Sequence, residues 1–247
     1  MREVNDDAVV LRTFNSGEAD RVVVLWTRHH GKVRALAKGV RKTTSRLGGA
    51  LETLGDVTVD LVASRGEFYI VRHVQHRRRL ATVRTSYPRI SAGYAVVEAT
   101  DAIPSDGVPD EAIYDLLVRV LGTLDDERYE PTLVPASFFL RLLALDGSEP
   151  VLDGCVNCAR EGPLVAFDAE VGGTLCRECR RGVALSSDAL ALLRRVVGGD
   201  LAAVLREVDP PGAGEVTALA QGAIEVHFGR RLRSPQAAAP WTARVDR

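Results

Sequence analysis

Long apolar stretches are missing from this 247-residue chain: 46% of its residues are hydrophobic, yet charges interrupt every run before the roughly eighteen residues that a membrane span needs. No membrane association is expected. The first residues, Met1 to Asp7, are too polar for a signal peptide, and a cytoplasmic, nucleoid-associated protein is the expectation. Catalytic signatures are also lacking. No GxSxG, Walker A, HExxH or Cys/His pairing occurs, and Gly212-Ala213-Gly214 follows Pro210-Pro211 without a preceding strand or a third glycine, so it reads as a loop before a helix. These omissions point away from an enzyme. Aromatic residues make up only 5%, which leaves Phe14, Trp26, Phe68 and Tyr69 as the candidates for stacking on bases; Trp26 ends an apolar run and reads as core.

Cysteine is absent everywhere except in two short knuckles, Cys155-Val156-Asn157-Cys158 and Cys176-Arg177-Glu178-Cys179, seventeen residues apart. Four thiolates at this spacing read as one tetrahedral Zn2+ site, one ion per chain, because each two-residue gap lets a tight turn aim both sulfurs at the same ion. Two disulfides, two redox pairs or four unrelated thiols are the alternatives, and a reducing compartment disfavours the first. With no fifth cysteine and no adjacent histidine as a replaceable ligand, the site is expected to be structural. His73 and His76 have metal-like spacing but no accompanying ligands, and read as surface histidines.

Lysine is nearly absent too, with 3 against 29 arginines, and all three lysines, Lys32, Lys38 and Lys42, fall within eleven residues. The net charge of -1 conceals a segregation. Residues 1–89 hold 17 basic against 9 acidic side chains, a balance of +8, while residues 90–154 hold 3 against 13, a balance of -10. The cysteine segment 155–181 is neutral, at 4 against 4. A polyanion would be drawn to the N-terminal part and repelled from the middle.

Residues 1–80 read as a small barrel of five short strands. Ala8–Thr13 and Arg21–Trp26 are β-branched runs, Lys32–Ala37 alternates with Lys32 and Arg34 on one face, Asp56–Val62 alternates likewise, and Phe68–Val71 returns after a turn. A longer connection between the third and fourth strands suggests an OB-fold. The segment 38–46 of that connection carries Lys38, Arg41, Lys42 and Arg46 with Thr43, Thr44 and Ser45 and no acid, so with Lys32 and Arg34 it forms a strip suited to phosphate oxygens. Arg77-Arg78-Arg79 either extends this path or faces the acidic part.

After Arg84 the apolar period becomes helical. Helices are expected from Pro88 to Pro104, from Asp110 to Leu124, from Pro131 to Gly147, from a cap at Ser187, and from Glu215 to Arg231. The organisation is α+β: an OB-fold β-barrel (1–80), a helical bundle in two parts (81–153 and 183–233) with the zinc module (154–182) inserted, and a disordered tail (234–247).

The order of parts resembles a known family. A basic barrel with Lys38-Gly39-x-Arg41-Lys42-x-x-Ser45-Arg46 precedes Phe139-x-Arg141-Leu142-Leu143-x-x-x-Gly147-x-x-Pro150, and then come the two CxxC pairs. To about residue 232 the chain resembles the bacterial recombination mediator RecO family. The resemblance implies a non-enzymatic role in RecF-pathway repair: binding single- and double-stranded DNA, annealing strands, and, with RecR, loading RecA onto DNA coated by single-stranded DNA-binding protein. That partner's acidic tail would need a basic, apolar pocket, for which Arg141 beside Phe138 and Phe139, or Arg119, are candidates. A zinc-ribbon regulatory protein is the alternative, although a ribbon of that kind would concentrate basic charge on the knuckles.

Overall fold

Two apolar runs explain how the halves of the molecule meet. Val9-Val10-Leu11 and Val22-Val23-Val24-Leu25-Trp26 do not alternate with polar residues, as strands with one wet face do, because both of their faces are covered. Val10, Val23 and Leu25 point into a barrel core, while Val9, Leu11, Val24 and Trp26 point outward into a second core shared with the helices. The computed structural model describes residues 3–41, 48–64, 66, 68–104 and 107–234.

The barrel consists of β1 (Glu3–Ser16), β2 (Asp20–Thr27), β3 (Gly31–Ala37), β4 (Asp56–Ala63) and β5 (Tyr69–Arg78), and closes in the order β1-β2-β3-β5-β4, the OB arrangement. β1 is long enough to serve two neighbours: residues 3–9 pair with β4 and residues 8–16 with β2, with an irregularity between Val10 and Arg12 that turns the strand. The loop after β3 supplies Val40, Ala50 and Leu51 to plug one end of the core. β5 runs seven residues beyond the expected Val71, so that Arg77 and Arg78 continue the strand.

Seven helices follow among the described residues: α1 (Ala81–Thr85), α2 (Tyr87–Ala102), α3 (Glu111–Asp125), α4 (Val134–Leu145), α5 (Ser187–Val197), α6 (Leu201–Val204) and α7 (Ala213–Phe228). Their ends follow local chemistry. Asp110 caps α3 by accepting from the Ile113 N–H at 3.0 Å, and Pro88 occupies the first turn of α2, where its missing N–H costs nothing. The cap of α5 is Ser186, one residue before the expected Ser187, accepting from the Ala189 N–H at 3.1 Å. Gly212 opens α7 at φ 85°, where a side chain would strike Ala189. α4, apolar almost all round, is the central helix, packed by α2, α3, α5 and α7.

Between α4 and α5 lies a small sheet of β6 (Leu164–Asp168), β7 (Gly173–Cys176) and β8 (Val183–Ala184), in the order β7-β6-β8. It is not a separate body. Leu164, Ala166, Phe167, Leu175, Cys155 and Cys176 belong to the same apolar core as α4, α5 and α7.

Candidate nucleic-acid interface and metal centre

Each CxxC segment turns its backbone toward its own first sulfur. The Cys155 thiol is drawn down to about 6, first by the Cys176 N–H and, against burial, by the Asn157 and Cys158 N–H groups. The Cys176 thiol is lowered chiefly by the Cys179 N–H. The Arg160 N–H favours the Cys158 thiolate, but the Cys155 sulfur and burial outweigh it and push that thiol up to about 11. Backbone N–H groups thus favour the thiolate form at Cys155 and Cys176, the form in which a thiol ligates a metal.

All four Sγ atoms lie within 4.8 Å of one another, and Cys158 Sγ is 3.7 Å from Cys176 Sγ. That separation is far beyond a disulfide bond of about 2.05 Å. It matches the edge of roughly 3.8 Å for a tetrahedron with Zn–S bonds of about 2.3 Å. Asn157 donates to Cys179 Sγ at 3.3 Å, and Arg160 pairs with Glu178 across the knuckles at 2.6 Å. The donor set therefore fits Zn2+. When bound, the ion would cross-link the two knuckles and supply no open coordination position.

The basic strip divides. Arg34 faces outward from β3, and the parallel β3–β5 pairing at Ala35↔Tyr69 brings the half-exposed Phe68 beside it. Lys38 and Arg41 are exposed on the loop that follows. This loop is tied over the β1–β2 turn: Gly39 N donates to Asp20 Oδ1 at 2.8 Å, Arg41 N to Ala19 O at 3.0 Å, and Arg41 Nη1 to Gly17 O at 3.1 Å. Lys42 and Arg46 lie outside the described residues. Lys32 leaves the group. Its Nζ donates to Asp101 O at 3.1 Å and Ile103 O at 2.6 Å, closing the C-terminal end of α2.

Of the three consecutive arginines, two face the helices. Arg77 pairs with Asp7 at 3.1 Å and Asp56 at 3.2 Å and donates to the Tyr114 hydroxyl at 2.8 Å, while Arg78 lies over Gly122 of α3, where any side chain would strike it. Burial raises the Asp56 carboxyl although Arg77 and Arg78 oppose the effect. Arg79 is exposed. His73 is exposed, as its lack of companions suggested, but His76 is half-buried, its Nδ1 without a hydrogen-bond partner among the described residues.

Other basic residues also bind the halves together. Arg28 reaches Glu111 at 3.2 Å and Asp115 at 2.9 Å on α3, and Arg12 reaches the buried Asp101 at 2.8 Å. Asp6, fully buried, accepts from the His29 N–H at 3.0 Å and holds both neighbouring rings, with Nδ1 of His29 at 2.9 Å and of His30 at 2.6 Å. Arg89 was missed by sequence reasoning. Buried, it donates to the carbonyls of Leu124 (2.8 Å), Asp126 (3.1 Å) and Tyr129 (2.8 Å), sealing the end of α3, and no local pattern distinguishes it from a surface arginine. Phe138 and Phe139 are buried and offer no surface; Arg141 instead flanks a shallow hollow with Leu140, Val196 and Val197, and Arg119 is exposed on α3.

A closed barrel with cations on one outward edge, fused to a helical half that carries a four-cysteine cluster, defines an OB-barrel protein with a four-cysteine helical domain. The chain belongs to the RecO family: residues 1–78 match the N-terminal model, Recombination protein O N terminal, and residues 84–236 the C-terminal one, Recombination protein O C terminal. It is 37% identical to DNA repair protein RecO of Streptomyces avermitilis and 36% to that of Streptomyces coelicolor, each over 93% of this chain and 96% of the relative. It is also 36% identical to DNA repair protein RecO of Cutibacterium acnes, over 95% of this chain and 98% of the relative.

Proposed function

We propose that this protein is a non-enzymatic mediator of recombinational DNA repair. The barrel, residues 1–80, binds single- and double-stranded DNA without reading sequence. The helical parts, 81–153 and 183–233, organise partner proteins around the zinc module, 154–182. In this reading it anneals complementary strands, and with RecR it helps RecA load onto DNA coated by single-stranded DNA-binding protein.

The observation that carries the reading is the cationic edge of Arg34, Lys38 and Arg41 beside the exposed ring of Phe68. Backbone charge neutralisation lowers repulsion between two strands, and a single aromatic platform holds bases loosely enough for complements to pair. The acidic composition of residues 90–154 keeps DNA off the helical half. Neither strand pairing nor release needs a nucleophile or a nucleotide, so annealing should proceed without ATP or a catalytic metal. A strand-annealing assay on complementary oligonucleotides coated with single-stranded DNA-binding protein tests this. Lys38→Glu/Arg41→Glu should anneal more slowly, bind every single-stranded sequence more weakly, and show a salt slope flatter by about 1.4 for two lost phosphate contacts. An unchanged slope in the folded variant moves the interface elsewhere.

A further inference from the structure

The barrel wall is thinnest where β3 meets β5. Those strands pair only at Ala35↔Tyr69 and Leu36↔Ile70, whereas β5 continues to Arg78 with β4 on its other side. Beyond Ile70 that edge of β5 has no partner strand among the described residues. A cavity of about 460 Å³ opens there, lined by Gln75, His76, Arg77 and Arg79 and, from the loop before β4, by Gly49 and Ala50.

Charge in this cavity is compensated only in part among the described residues. Arg77 is committed to Asp7, Asp56 and Tyr114, but Arg79, and Arg84 on α1, form no ion pair among the described residues. Burial first, and then the charge of Arg79 and Arg84, lower the pKa of the His76 ring. The guanidinium of Arg79 and a half-buried imidazole therefore line a gap whose far wall carries Gly49 and Ala50, and Arg84, exposed on the adjoining α1, stands near the His76 ring. The loop of that far wall carries Lys38 and Arg41 upstream, and its Gly48 returns to the Val40 carbonyl, which brings the Gly49–Ala50 wall back toward the basic edge already described.

We propose that this gap is a second phosphate subsite, in which Arg79 and Arg84 hold the backbone of a DNA strand that continues past the Arg34–Lys38–Arg41 edge, with His76 forming the wall of the site. The proposal rests on the DNA-binding function above. It assigns to DNA the one arginine of Arg77-Arg78-Arg79 that the helical half does not use.

The test uses the full chain and measures the affinity for a fluorescent oligothymidylate against salt. Arg79→Gln/Arg84→Gln should weaken binding several-fold and flatten the log-log slope by about 1.4, the value for two single-strand contacts, while Arg79→Lys/Arg84→Lys restores most of the slope. A folded glutamine variant that binds with the wild-type slope overturns the subsite. Wild-type protein that binds no DNA overturns the DNA-binding function instead. A second measurement holds even if the double variant fails to fold: the His76 ring signals in the NMR spectrum of the wild-type chain should move on adding the oligonucleotide. Signals that respond to inorganic phosphate at equal ionic strength but not to DNA would mark a free-anion site and sink the assignment.

Discussion

Lys32 and Lys38 stand six residues apart and carry the same charge, but the fold gives them different tasks. Strict alternation correctly placed Lys32 on the outer face of β3. What period two does not encode is what lies outside: Arg34 and Lys38 stay exposed, whereas Lys32 meets the C-terminal end of α2. The contact is between residues some seventy positions apart, and no local pattern carries that information. Charge-assisted bonds to two helix-terminal carbonyls are each worth about 1.5–3 kcal/mol, and leaving those carbonyls buried and unpaired adds to the loss. Lys32→Met, which keeps the aliphatic stem, should therefore lower unfolding free energy by at least about 3 kcal/mol in urea while leaving the salt slope of DNA binding unchanged. A variant of full stability with a flatter slope would return Lys32 to the DNA interface.

At the level of elements, the sequence revealed the strands and long helices because each carries its own period, and it missed elements that exist only through packing. Short α1 and α6 and two-residue β8 have too few positions to show periodicity, and the extension of β5 through Arg78 is polar in sequence but held by its ladder to β4. The unbroken apolar runs in β1 and β2 did encode the docking of barrel on helices, as strands buried on both faces. The β2–β3 turn completes that junction. Gly31, at φ 64°, lies where a side chain would run into the Val108 backbone, while Arg28 and Lys32 on either side bind α3 and α2. Gly17, at φ 65°, turns β1 into β2 with nothing within 4 Å of a would-be Cβ. The pair makes an internally controlled test. Gly17→Ala should cost about 1 kcal/mol, the usual strain of a left-handed alanine. Gly31→Ala should cost well over twice that in the same urea titration, since the Val108 segment must also move. Equal costs would show that the barrel–helix junction tolerates displacement at this point.

For the molecule as a whole, the +8/-10 segregation read from composition does two things at once. Arg12, Arg28 and Arg77 reach acidic or hydroxyl partners across the junction, while Arg34, Lys38, Arg41 and Arg79 lie exposed on the barrel surface. An isolated segment 1–80 would expose Val9, Leu11, Val24, Trp26 and Leu54, so the division between DNA-binding and partner-binding halves has to be tested in the intact chain. The knuckles tie into the same argument. Their spacing was fully legible in the sequence, because ligand geometry is set within each four-residue segment; that Cys155 and Cys176 sit inside the core of α4, α5 and α7 was not. Metal at a closed four-cysteine site contributes on the order of 10 kcal/mol to the fold it organises, as much as a typical domain's entire stability. We therefore expect one zinc per chain by elemental analysis, and expect Cys155→Ser or Cys176→Ser to melt the helical half together with the docked face of the barrel in one transition. Cys158→Ser, at the exposed ligand, should cost less because its serine can still meet water. Protein purified without chelator that contains no zinc while its four thiols remain titratable would remove the metal from this account, and a barrel transition unaffected by loss of Cys176 would show that the shared core does not couple the two halves.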